Sequence, residues 1–234
     1  MTSDIDLYSS HPEKYNEIQD FRLDYRGAIE ATVNLSTKYL VRREKANLVD
    51  FCGGVGNVTK KIAQQVSVGK ATIIDINEEL LKIAQDSNIE ADVVDTVHSD
   101  ILKVELQKEF DLVLSVFAYH HVPDNEKKKY LEIALSGMKD DAIFVLTEIY
   151  LPNREITLQY YKKLLNEIPN KSQLLESFIN ETANSTDFEF KVTQEFARNQ
   201  LNELGFKIVE SVKIWPLDNT FEESVGTFVQ VFRK

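Results

Sequence analysis

Three groups of residues in this chain are of types that do chemistry, and each stands at or near the end of an apolar run. His120 and His121 follow Asp111-Leu-Val-Leu-Ser-Val-Phe117. An imidazole titrates near neutral pH, so either ring could take a proton from a hydroxyl or an amine. Glu148 closes a run over 142–149, where a carboxylate could hold an amine or orient a histidine, or simply be solvated. Asp50, Asp75 and Asp100 are the third group, and directly after Asp50 come Gly53, Gly54 and Gly56, three of only eight glycines within four positions.

Positioning these residues requires a particular local structure. Leu48, Val49 and Phe51 read as a strand, and Val58, Ile62, Ala63 and Val66 as a helix, with the glycines between them. Glycine suits such a junction because the backbone turns sharply and a ligand can approach without a Cβ in the way. Dinucleotide folds, phosphate loops and nucleoside-binding folds all use this device. A phosphate loop is excluded because Asn57-Val58-Thr59 stands where its Gly-Lys-Ser/Thr ending belongs. A second run, Ala71-Thr-Ile-Ile74, ends in Asp75, nineteen residues beyond Gly56, where an acidic side chain can accept hydrogen bonds from ribose hydroxyls.

Taken in order, these segments resemble the class I S-adenosylmethionine-dependent methyltransferases, of the type acting on small molecules. The family's first motif, an acidic residue followed by Leu-Gly-Cys-Gly-Thr-Gly, is matched by Asp50-Phe-Cys-Gly-Gly-Val-Gly56, with Cys52 at the first glycine position. The resemblance implies S-adenosyl-L-methionine as the methyl donor. It places Asp50, Gly53, Gly54, Gly56, Asp75, Ile76, Asp100, Ile101 and Ser115 around the donor, with Asp75 on the ribose diol, Ile76 against the adenine and Asp100–Ile101 at the adenine edge. It also puts the acceptor beside His120 and His121, with Glu148 as a further candidate for catalysis. An NAD-dependent enzyme is the nearest competitor, but Gly54-Val-Gly56-Asn-Val-Thr59 breaks its fingerprint at the third glycine. The rival from another class is a methyltransferase-like protein that binds the nucleoside, or a partner protein, without transfer.

Composition narrows the partners. A net charge of -11, from 38 acidic and 27 basic residues, opposes nucleic acid and anionic lipid surfaces. The strand-four residues Ser115-Val-Phe-Ala118 lack the Asn/Asp-Pro-Pro-Tyr/Phe signature of enzymes that methylate bases or glutamine amides, leaving a small organic molecule, methylated at oxygen or nitrogen, as the expected acceptor. A single cysteine permits no internal disulfide, and Cys52 is read as a small buried turn residue. No basic-then-apolar leader and no membrane-length run is seen, so a cytoplasmic, soluble, unprocessed protein is expected, with a homodimer allowed. The four histidines lack cysteine partners, so no metal is expected.

A chain of 234 residues suits one domain. The fold expected is a Rossmann-like α/β domain with a seven-stranded, mostly parallel sheet, helices on both faces and an antiparallel last strand. Residues 4–45 are expected as an N-terminal helical lid, 46–150 as the nucleotide-binding core, 151–192 as a cap insertion, and 193–234 as a helix and strand pair. Core helices are expected near 57–67, 78–87, 103–108 and 125–138. Tyr15, Tyr25, Arg26, Tyr119, Tyr150 and Tyr160 are the candidates to line the acceptor pocket.

Overall fold

The computed structural model describes Gln19, residues 21–185 and residues 189–234. Seven strands form one sheet: β1 (Ala46–Phe51), β2 (Val68–Asp75), β3 (Ala91–His98), β4 (Phe110–Val116), β5 (Met138–Tyr150), β6 (Lys207–Trp215) and β7 (Gly226–Arg233). Their order is β3-β2-β1-β4-β5-β7-β6, and β7 runs antiparallel to both of its neighbours. The other pairings are parallel, so each crossover must pass over a sheet face. Strand order reverses between β1 and β4, and open sheets of this kind bind ligands outside the carboxyl ends at such a point.

The helices are α1 (Leu23–Leu40), α2 (Asn57–Ala63), α3 (Glu78–Asp86), α4 (Lys127–Gly137), α5 (Arg154–Glu167), α6 (Gln173–Asn184) and α7 (Gln194–Glu203). Side-chain caps mark several starts: Asn77 accepts from Glu79 and Leu80, Asn153 from Ile156, Ser172 from Leu175 and Thr193 from Phe196. Leu112, Val113 and Leu114 of β4 are fully buried, as a strand covered on both faces requires. On one face Ala28, Ile29 and Val33 of α1 join Val58 and Ile62 of α2 over Leu48, Leu112 and Val145. On the other, Tyr130, Leu131 and Ala134 of α4 and Leu201 of α7 cover Phe51, Val113 and Phe144.

Two expectations change. The helix expected over 103–108 is a single 3₁₀ turn, Ile101–Lys103, because the Asp100 side chain caps Leu102 N–H and Val104 returns to extended backbone. Most of the N-terminal helix lies on the sheet rather than over the strand ends. Thr32 in α1 meets Thr147 in β5 through a 2.6 Å hydroxyl contact, and only the start of the helix reaches toward the crevice. The helix expected from Pro12 falls outside the described residues.

Candidate active site

The first part of the candidate site is built by the turn after β1 and the end of β2. Gly53 N–H donates to Ile74 O at 3.1 Å, which pins the turn to the neighbouring strand. Asp75 Oδ2 accepts from Gly54 N–H at 2.9 Å and Oδ1 from Asn77 N–H at 2.8 Å, so each oxygen keeps a lone pair for a ligand hydroxyl. Burial pushes the Asp75 carboxyl up, against these backbone donors. Behind the turn Asp50 is buried, accepts from Thr59 Oγ1 at 2.8 Å, and is raised by burial to about 6. A Cβ on Gly53 would lie 2.7 Å from Asp50 Cγ, and one on Gly56 would lie 2.7 Å from Ile73 Cδ1. Gly54 and Gly56 take φ of 53° and 71°, so this cradle depends on glycine for both space and conformation.

Beside it, Ile76 leaves a large apolar side chain 70% exposed, a platform for a flat ring, while Ile101 is buried and Asp100 half-buried. A carboxylate with two spare lone pairs, a bare turn and an exposed apolar side chain fit the ribose and adenine of S-adenosylmethionine. Cys52 requires a correction. It is exposed rather than buried, and it holds φ of 54°, the left-handed conformation that the family's glycine would adopt at no cost. Desolvation by the atoms packed around the sulfur, and then Asp75, Asp50 and Asp100, push its thiol up and so disfavour the thiolate.

The second part of the candidate site lies beside this turn, since Phe51 of β1 pairs with Ser115 of β4. β4 runs into Phe117, a bulky residue at φ 52°, held by its N–H donating to Thr147 O at 2.9 Å and by stacking on Tyr25 with ring centroids 5.3 Å apart. Such a conformation costs ~1–3 kcal/mol and collects at functional sites. A 3₁₀ turn, Tyr119–His121, follows. Buried Lys127 donates to Tyr119 O at 3.0 Å and Val122 O at 2.5 Å, which fixes that turn from beneath.

His120 is buried and its Nδ1 lies 2.6 Å from Glu148 Oε1. Glu148 also accepts His120 N–H at 2.9 Å and Ile149 N–H at 2.6 Å. Burial pushes Glu148 up to about 7 and His120 well down. With three donors aimed at the carboxylate, we assign it as ionised and the imidazole as neutral, with the proton on Nδ1. The Nε2 lone pair then faces Glu189, whose Oε2 is 3.8 Å away, and the His121 ring lies 4.1 Å from that of His120.

A cavity of about 40 Å³ opens among these groups, lined by His120, His121, Glu189, Arg22, Tyr25 and Phe117, with Tyr161 and Phe178 from α5 and α6 closing it. Of the tyrosines expected here, only Tyr25 lines it. Tyr119 is buried with its hydroxyl on Gln200, Tyr150 on Gln230, and Tyr160 on Asp24 and Thr227. Ser115 is buried against the Tyr130 hydroxyl, Arg26 is exposed, and Tyr15 lies outside the described residues. Sequence reasoning missed Arg22, Phe117, Lys127 and Glu189. A lysine eight residues beyond Tyr119 shows nothing of its burial, and Glu189 sits in a polar stretch without a pattern.

The fold and site together resemble those of the class I S-adenosylmethionine-dependent methyltransferases. Residues 48–141 match the model of the methyltransferase domain family. An uncharacterised methyltransferase of Bacillus cytotoxicus is 28% identical over 138 residues, 55% of this chain and 63% of that protein. A ubiquinone/menaquinone biosynthesis C-methyltransferase of Pseudomonas fluorescens is 26% identical over 136 residues, 56% of this chain and 48% of that protein. The matched region thus spans about half to two thirds of these relatives. Magnesium protoporphyrin IX methyltransferase from Synechocystis, solved with S-adenosylhomocysteine bound, shares the fold with a TM-score of 0.65 at 17% identity, over 98% of this chain and 97% of that one.

Proposed function

We propose that this chain transfers a methyl group from S-adenosylmethionine to an oxygen or nitrogen of a small organic molecule. When bound, S-adenosylmethionine supplies a sulfonium-activated methyl group. The chain's own residues then have two tasks, alignment and proton removal. Asp75 and the glycine turn hold the nucleoside at the β1 and β2 ends, while Phe117 and Tyr25 wall the crevice one strand over.

The observation that carries the reading is the His120–Glu148 pair. Glu148 accepts the Nδ1–H hydrogen bond and so leaves Nε2 as a lone pair toward the cavity beside it. A base is useful for a hydroxyl or amine whose proton must leave, which favours those acceptors over carbon.

The cavity decides one further point. At about 40 Å³ it falls far below the ~300–1,000 Å³ that organic ligands occupy, so α5, α6 and the start of α1 must move to admit an acceptor. Net charge of -11 supports a small molecule over nucleic acid, and among the described residues no helix is long and apolar enough to cross a membrane. We place the enzyme in the cytoplasm on its lone cysteine, and a homodimer is compatible with the reading.

Calorimetric titration with S-adenosylhomocysteine comes first, and absence of heat at about millimolar ligand refutes the donor site. Screening a metabolite library for S-adenosylhomocysteine release then separates transfer from binding alone, with Asp75→Ala as control.

A further inference from the structure

We propose that His120, His121 and Glu189 form a binding site for a divalent transition ion such as Zn²⁺, and that occupancy switches the histidine base off. One nitrogen of each imidazole and a carboxylate oxygen of Glu189 lie within 4.8 Å of one another. Bonds of ~2.0–2.1 Å around a tetrahedral ion put ligand atoms ~3.4 Å apart. The measured 3.8 Å between His120 Nε2 and Glu189 Oε2 is already close to that value. His121 lies on the exposed side of the cluster, with its ring centroid 4.1 Å from that of His120.

Two imidazoles and one carboxylate are a donor set that favours zinc, iron or nickel over magnesium or calcium. His120 also has what a metal-bound histidine needs on its far side, a carboxylate that accepts the Nδ1–H hydrogen bond and aims Nε2. The cavity of about 40 Å³ has room for an ion and a water ligand, where an organic ring does not fit.

Lys191 supplies the competing cation. It forms a short ion pair with Glu189, and its side chain is only 5% exposed. An ion entering the site displaces that ammonium from the carboxylate. The site therefore has two occupants of like charge for one carboxylate, and removing the lysine should favour the metal. Because Nε2 cannot both coordinate an ion and accept a proton, metal binding and base catalysis exclude each other. That last consequence rests on the function proposed above, whereas the binding site does not.

The test uses the full chain, freed of metal with a chelator and titrated with Co²⁺ by visible d–d absorption, with Zn²⁺ as competitor. One equivalent is expected, with affinity reduced at least tenfold in His121→Ala and in Glu189→Gln, and raised severalfold in Lys191→Met. His121 is exposed, so its variant should fold even where Glu189→Gln does not. Equal binding by wild type and His121→Ala, or no Co²⁺ absorption at all, overturns the site. In the turnover assay Zn²⁺ should suppress methyl transfer while S-adenosylhomocysteine affinity is unchanged. Zn²⁺ binding without loss of turnover would overturn the switch and the histidine base while leaving the ion site in place.

Discussion

Cys52→Gly should stabilise this protein, although the substitution deletes a side chain. Cys52 holds φ of 54°, and an L-residue in that conformation is disfavoured by ~1–2 kcal/mol. Glycine removes that strain but adds ~0.5–1 kcal/mol of unfolded-state entropy. The net gain is ~0–1.5 kcal/mol, reduced by whatever packing the thiol makes. Cys52→Ala separates the contributions, because it loses the sulfur while keeping the strained backbone. Glycine should exceed alanine by ~0.5–1.5 kcal/mol in urea unfolding, and in a chain of this length should melt ~1–6 °C higher, at ~2–4 °C per kcal/mol. If alanine equals or exceeds glycine in stability, Cys52 is unstrained and the account of the turn is wrong.

Three further outcomes follow from the site. Asp75→Ala should weaken S-adenosylhomocysteine binding in calorimetry by ~1–3 kcal/mol, and should also destabilise the fold, because Gly54 and Asn77 N–H lose their acceptor. Asp75→Asn, which keeps one oxygen, should lose less of both. Glu148→Gln should lower kcat ~10²-fold or more with donor affinity intact, since the pair rather than the nucleoside site is altered; unchanged kcat would remove His120 from proton transfer. For Asp50 the native carboxyl sits at about 6, above the ordinary 3.8. The fold therefore favours its protonated form, and stability declines as pH rises from ~4 to ~6, by on the order of 3 kcal/mol at ~1.4 kcal/mol per unit. Asp50→Asn should flatten that part of the unfolding profile, and an unchanged slope would show that Asp50 is not its source.

Much of the core was legible because its signals are local. Apolar runs ending in Asp75 and Phe117, three glycines after Asp50, and the Thr193 cap depend on neighbours a few residues apart, and backbone geometry ties such patterns to strands, turns and helix starts. The pairing of His120 with Glu148 was foreshadowed in part, since His120 follows β4 and Glu148 stands near the end of β5, its parallel neighbour. Its 2.6 Å contact was not, because that depends on the 3₁₀ turn held by Lys127.

What the sequence alone determined about this protein is the sheet, the glycine turn at its switch point and the net acidity. Tertiary structure decided the acceptor side. Tyr119, Tyr150 and Tyr160 have the composition of pocket residues, yet each hydroxyl is taken by a partner far along the chain, such as Gln200, Gln230 or Thr227. Conversely, Arg22 and Glu189 line the cavity from segments separated by more than 160 residues. No periodicity encodes that meeting, because it arises only when the start of α1 and the residues from α5 onward come together at the cavity. Cys52 shows the same division at a single residue: its place in the glycine turn was visible in the sequence, while its exposure and left-handed backbone follow from the fold around it.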